Sequence, residues 1–413
     1  MNILVIGNGF DLAHGLPTKY TNFLEFIKVI RQALSKGKLA GIDWGNTNEE
    51  VKNFLISNKG KVQENLFSNR QMWEELIDNN FWMEYFLSVY KKREKEGKNG
   101  WIDFESEISK VIQSLDGDMQ NRINGAAVLD DEIDRMLSND ILELYTERYG
   151  DITFKVLRDL LLDDLNKLIR ALEIYLSEYV EKMEIQEKSP DIDDLEIDFI
   201  LSFNYTHIFT KLYDVSSTSK QEIADLFDYI HGEADINNTV DNNNMVLGID
   251  EYLPDDRKNK DIEFIAFKKF YQRIYKGTGS KYKDWINAIR EENNIYMERK
   301  HDCEIYLENI EVLDHKKEEM RVKLKQLNEN PPRHNLYIFG HSLDVTDKDI
   351  LRELILNDNV YTTIFYHDKD TMGQQIANLV KVIGQDELIR RTGGSTKTIE
   401  FKLQQDMIPI QNQ

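Results

Sequence analysis

Residues 2–18 read Asn2-Ile3-Leu4-Val5-Ile6-Gly7-Asn8-Gly9-Phe10-Asp11-Leu12-Ala13-His14-Gly15-Leu16-Pro17-Thr18, and this stretch decides the fold class. Asn2–Ile6 is a short aliphatic run of the kind that forms a strand buried on both faces. Glycines follow at 7, 9 and 15. After such a strand, Gly7 permits a tight turn and Gly9 lets the backbone approach a pyrophosphate. The helix that follows would point its free N–H groups at the anion. In the usual dinucleotide fingerprint the third glycine comes three residues after the second, whereas Gly15 comes six after Gly9. The alternative is a tight βα turn without a ligand. So apolar a strand followed by Gly-Asn-Gly favours the ligand.

Outward from this stretch, Phe199–Phe203 and Leu336–Phe339 are predicted as further buried strands, with weaker candidates at Tyr229–His231 and Tyr361–Tyr366. Helical patterns separate them, which predicts an α/β fold with a mostly parallel sheet flanked by helices. From Glu49 to about Lys188 apolar residues recur at three- and four-residue intervals (Trp73, Leu76, Phe81; Leu157, Leu161, Leu165, Leu168), the pattern of a large all-helical insertion. The expected organisation is a first strand–helix unit at 1–45, the helical insertion at 46–190, and a continuation of the α/β core at 191–255. A second helical insertion at 256–332 and the rest of the core at 333–413 complete it. Asp235–Asn244 (DINNTVDNNN) is a loop by composition.

With 413 residues, 41% of them hydrophobic and 10% aromatic, the chain is globular. No apolar run is long enough for a membrane span, and Met1 leads straight into a strand, so a soluble, cytoplasmic protein is expected. The single cysteine, Cys303, excludes a disulfide framework and a cysteine-built zinc site. A net charge of −22 repels phosphate backbones and argues against a nucleic-acid partner. Lys91–Lys98 and Lys316–Lys325 read as solvated helix faces.

Several short elements carry candidate chemistry. Asn204, at the carboxyl end of the second strong strand, can bind a ribose hydroxyl or position a water; it can equally cap a helix. His231, followed by Gly232, is the best general-base candidate among eight histidines. Gly340-His341-Ser342 repeats the strand-then-glycine logic, and Asp347 is expected to cap the next helix. Asp103, Glu105 and Glu107 lie close together, with Asp103 and Glu107 at the spacing that shares a helix face. In so acidic a chain they read as a solvated face. No histidine–carboxylate spacing indicates a metal site.

In order along the chain, GNGFDLAHGLPTKYTNFLEF, WIDFE, SFNYTHIFTKLY, IHGE and FGHSLDVTDKDIL resemble the AbiH family of bacteriophage abortive-infection proteins. A more distant resemblance, to sirtuins and sirtuin-like NAD-consuming domains, rests on four motifs. Gly7, Gly9 and Gly15 match a GAG-x(5)-G loop, with Leu16-Pro17-Thr18 standing where Ile-Pro-Asp would be. Asn204 looks like the Asn of a Thr-Gln-Asn motif, His231-Gly232 like the His-Gly, and Gly340-His341-Ser342-Leu343 like a late Gly-Thr-Ser-Leu. Sirtuin deacylases carry a four-cysteine zinc module that this chain cannot build, which argues against protein deacylation. Asn8 for Ala and Thr18 for Asp leave open whether NAD or another nucleotide is the ligand.

The resemblances imply a Rossmann-like, sirtuin-like core and an antiphage effector that hydrolyses the nicotinamide–ribose bond of NAD, its substrate or ligand, when a phage-derived trigger is present. Asn204 and His231 would be catalytic; Gly7, Asn8, Gly9, Phe10, Asp11, Gly15, Pro17, Thr18, Gly232, Gly340, His341 and Ser342 would bind the nucleotide. The helical insertion is the expected place for trigger recognition or homo-oligomer contacts. Two alternatives stay open: a nucleotide-binding sensor without turnover, and a nucleic-acid-directed effector.

Overall fold

The computed structural model describes residues 1–95, 102–124, 148, 150, 153–213, 225–308 and 313–410. Trp101 of the WIDFE element and parts of the predicted helical insertion lie outside the described residues.

Six strands form one parallel sheet: β1 (Asn2–Ile6), β2 (Phe199–Ser202), β3 (Phe227–Tyr229), β4 (His334–Phe339), β5 (Val360–Tyr366) and β6 (Ile399–Leu403). Their order across the sheet is β3-β2-β1-β4-β5-β6. This 3-2-1-4-5-6 order reverses direction at β1, and doubly wound sheets open their ligand crevice at such a switch point, beyond the carboxyl ends of the strands. β1 is apolar along its length because both of its sides are covered. Leu4 and Ile6 enter one core, Ile3 and Val5 the other.

On the Leu4 side lie α1 (Asn8–Ala13) and α2 (Tyr20–Lys36), then α3 (Glu49–Ser57), α4 (Lys59–Ser68), α5 (Arg70–Ile77), α6 (Phe81–Lys95), α7 (Phe104–Asn124) and α8 (Phe154–Ile174). In α2, Phe23, Phe26, Ile27, Ile30 and Leu34 repeat at helical spacing and are buried. Gly37, at φ 66, ends the helix by donating its N–H to Ala33 and Leu34. Beyond α8 the chain makes a π-helical turn over Tyr175–Tyr179, and the Tyr175 hydroxyl donates to the Pro17 carbonyl at 2.7 Å.

Between β2 and β4 come α9 (Ile208–Leu212), α10 (Lys269–Lys276), α11 (Tyr282–Glu308) and α12 (Asp314–Glu329). After β4 come α13 (Lys348–Ile355), α14 (Lys369–Ile383) and α15 (Gln385–Thr392). Trp285 and Ile286 of α11, Leu351 and Leu354 of α13 and Leu379 of α14 cover the Ile3 side of the sheet. α12 buries no residue, in keeping with the solvated face expected for Lys316–Lys325.

Three expectations are corrected. β3 spans Phe227–Tyr229, not Tyr229–His231, so His231 stands on the loop beyond the strand. β6 was not foreseen: only Ile399 of its five residues is buried, as suits an edge strand. The predicted all-helical stretch ends in a two-residue strand, Glu187–Lys188, paired antiparallel with Ile408–Pro409.

Candidate functional site

A cavity of about 670 Å³ lies over the switch point, within the usual range for small-molecule sites. The loops leaving β1, β2, β3 and β4 meet there. They bring Gly7, Asn8, Gly9, Asp11 and Thr18 together with Asn204, His231, Gly340, His341 and Ser342. Ten of the fourteen residues singled out in the sequence therefore share one wall.

The other four do not line it. The Phe10 ring is fully buried against Phe209, Tyr213 and Phe339. Gly15 is an exposed turn residue at φ +77 with open space around it. Pro17 is held through its carbonyl by Tyr175. Gly232, at φ +76, is wedged against the Asn244 backbone, where a Cβ would lie 2.2 Å from the carbonyl oxygen.

The glycine loop also works differently from the expectation. Gly7 is itself extended (φ −125, ψ −176), and its carbonyl accepts the Phe10 N–H at 2.8 Å as the chain turns into α1. Its N–H donates to the Phe339 carbonyl at 3.2 Å, and that of Gly9 to the Gly340 carbonyl at 2.7 Å, so neither amide is free for an anion. The glycines are needed because two loops touch. A Cβ on Gly9 would sit 2.7 Å from the Gly340 oxygen, and one on Gly340 would sit 2.1 Å from the Phe10 nitrogen. Close backbone approach is right; its partner is the β4 exit loop.

Asn204 and His231 are buried, at 4% and 5% exposure, and each keeps one polar atom without a protein partner: Asn204 Oδ1 and His231 Nδ1. Native interiors rarely leave such atoms unmatched. The remaining atoms are fixed. Asn204 Nδ2 donates to Asp11 Oδ1 at 3.2 Å, and Thr206 donates to Asp11 Oδ2 at 2.7 Å. His231 Nε2 lies 3.3 Å from Asp347 Oδ1. Asn204 is thus no helix cap. Burial pushes Asp11 up to about 7, against its two hydrogen bonds. Burial, with the Lys269 charge, pushes His231 down to about 4, so its imidazole is neutral at physiological pH.

Asp347 does not cap α13. Asp344 makes the local cap instead, accepting from the Thr346 N–H at 3.1 Å. Asp347 turns into the cavity, where His341 Nε2 lies 3.5 Å from its Oδ2 and Lys269 Nζ lies 3.4 Å from its Oδ1. Burial alone would raise it; Lys269 and the two imidazoles outweigh that and hold it well below the ordinary carboxylate range. His341 Nδ1 accepts the N–H of Leu343, a residue held at φ 59.

The acidic cluster after Ile102 is likewise not solvated. Glu105 faces the cavity and pairs with Lys269 at 2.7 Å; burial pushes it up to about 7 against that cation. Glu107 points away into a buried site, where Lys110 and Arg93 bind it. Asp103 lines the cavity and caps α7 through the Glu105 N–H. Lys269 escaped the sequence reading altogether. The one signal for it is its apolar setting in Phe264-Ile265-Ala266-Phe267-Lys268-Lys269-Phe270, unusual company for two exposed lysines.

Fold and site define an α/β protein whose parallel six-stranded sheet opens a buried polar, ligand-sized cavity at its switch point. The chain belongs to the family described as bacteriophage abortive infection AbiH, whose model matches residues 3–367. Membership implies a role in abortive infection by phage. No curated protein and no solved structure matches it. No helix among the described residues is long and apolar enough to cross a membrane, and none of them form a group of three or more metal-binding side chains.

Proposed function

We propose that this cavity binds NAD and hydrolyses its nicotinamide–ribose bond as the effector step of phage defence. The observation that carries the proposal is the pair of buried, unpartnered atoms, Asn204 Oδ1 and His231 Nδ1, on two residues that line one cavity at the switch point of a Rossmann-like sheet. The resemblance of the motifs around Asn204, His231 and Gly340 to those of sirtuin-like NAD-consuming domains supports the choice of substrate.

Charge supports it too. The wall carries Asp11, Asp103, Glu105, Asp344 and Asp347 against Lys19 and Lys269. An acidic wall disfavours a purely anionic nucleotide. It favours a ligand bearing a cationic ring and developing an oxocarbenium ion as that ring departs.

In the reaction, the bond from C1′ of the ribose to the nicotinamide nitrogen breaks, and its electron pair neutralises the ring. Water adds to C1′, giving ADP-ribose and nicotinamide. Asn204 Oδ1 accepts from a ribose hydroxyl. His231 Nδ1 accepts from the attacking water and takes its proton late, which suits a weak base facing a strong electrophile. Asn8, Thr18 and Ser342 also line the cavity, and their side chains would contact the phosphates.

The test is release of free nicotinamide from NAD by the purified chain, with and without lysate of phage-infected cells. Turnover lost in His231→Ala and Asn204→Ala supports hydrolysis. Tight binding without product would make the protein a sensor, and degradation of RNA or DNA with NAD intact would make it a nuclease.

A further inference from the structure

Lys269 is buried, at 4% exposure, and joins three parts of the chain that are far apart in sequence. It opens α10, in the segment between β3 and β4. Its Nζ lies 2.7 Å from Glu105 Oε2, at the start of α7, and 3.4 Å from Asp347 Oδ1, just before α13. Asp347 in turn lies against His231 Nε2 at 3.3 Å, and the opposite ring nitrogen of His231 is the bare one.

We propose that Lys269 is the positioning residue of this site: shared between Glu105 and Asp347, its ammonium keeps Asp347 an ionised acceptor and His231 neutral, protonated on Nε2 and bare on Nδ1. This deepens the role given to His231 above and rests on it.

The argument is one of charge balance in a buried place. A lone carboxylate beside an imidazole draws a second proton onto the ring and forms an ion pair, and imidazolium has no acceptor nitrogen left. A cation on the other side of the carboxylate removes that pull while leaving the carboxylate able to accept from Nε2–H. Lys269 supplies the cation, and Glu105 keeps its charge from being excessive. The other charged groups around the dyad do not replace it. Arg273 is committed to Asp349 at 2.5 Å, and His341 Nδ1 already accepts from Leu343. Asp250 and Asp103 add only negative charge nearby.

The experiment is long-range nitrogen–proton NMR on the full chain with labelled histidine, assigned through His231→Gln. It needs no NAD, so the tautomer stands or falls separately from the substrate. The wild-type ring is expected neutral and protonated on Nε2 from pH 5.5 to 8. In Lys269→Met the His231 pKa is expected to rise from about 4, with burial still holding it below that of a free imidazole. Lys269→Arg should restore the low value. In the turnover assay Lys269→Met should lower kcat more than it raises KM and move the acid limb of the pH profile upward. A wild-type ring protonated on Nδ1, or an unchanged His231 pKa in folded Lys269→Met, overturns the proposal. If Lys269→Met fails to fold, Glu105→Gln decides. Freed of Glu105, the ammonium should move the His231 titration lower, and a rise would overturn the proposal.

Discussion

Gly340→Ala and Gly15→Ala make a matched pair, since both residues sit in the left-handed region, at φ +67 and φ +77. That conformation costs an L side chain about 1–2 kcal/mol. At Gly15 nothing lies within 4 Å of the added Cβ, and a stiffer unfolded chain returns about 0.4–1 kcal/mol, so the net loss is about 1 kcal/mol. At Gly340 the Cβ would lie 2.1 Å from the Phe10 nitrogen and 2.5 Å from the Gly9 carbonyl carbon, both backbone atoms that cannot swing aside. Overpacking adds about 1–3 kcal/mol to the same net loss, for a total of about 2–4 kcal/mol. It also pushes the loop after β1 away from the loop after β4, deforming the cavity wall. Urea unfolding followed by tryptophan fluorescence compares the stabilities, and NAD titration compares the sites. Gly340→Ala should be the less stable variant and lose binding, while Gly15→Ala binds as the wild type does. A Gly15→Ala variant that keeps its stability and loses binding would refute the reasoning, because it would put the ligand on Gly15.

Asp11→Asn should stabilise the protein above pH 7 and do little below pH 4. The folded pKa of Asp11 is raised from 3.8 to about 7, so its favourable contribution is complete below 3.8 and is lost as pH rises through 7. Melting temperatures of both proteins across pH 4–8 check this, and a gap that narrows as pH rises would contradict it. The Phe104 ring stacks between Tyr20 at 4.2 Å and Phe86 at 4.0 Å, with no exposure. Phe104→Ala should therefore cost about 3–5 kcal/mol in urea unfolding. It should also loosen Glu105, the next residue, and weaken ligand binding beyond what the stability loss explains.

The parallel strands were legible because burial on both faces writes an unbroken apolar run, as in Asn2–Ile6. β6 was not, since an edge strand with one buried residue writes no such run. The loops at the strand ends could be found because glycine, asparagine and histidine stand out after apolar residues. Glu105, Lys269 and Asp347 could not. In a chain with 74 acidic and 52 basic residues, a charged side chain reads as surface unless a partner is known, and these partners lie 78 to 164 positions away. Asp344 and Asp347 are both well placed to cap a helix, and only the tertiary fold decides between them. Gly15 was ambiguous for a related reason: the same spacing serves a phosphate loop and a plain helix-ending turn.

The wedge between Gly9 and Gly340 also bears on biosynthesis. β1 is made first, yet one of its edges stays unpaired until residues 334–339 emerge and β4 slides in beside it. A ribosome that has delivered only the first 333 residues has produced no Gly340, no His341 and no Asp347. His231 then has no carboxylate and the cavity no floor. The switch-point cavity is therefore incomplete until the later strands of the sheet have been made.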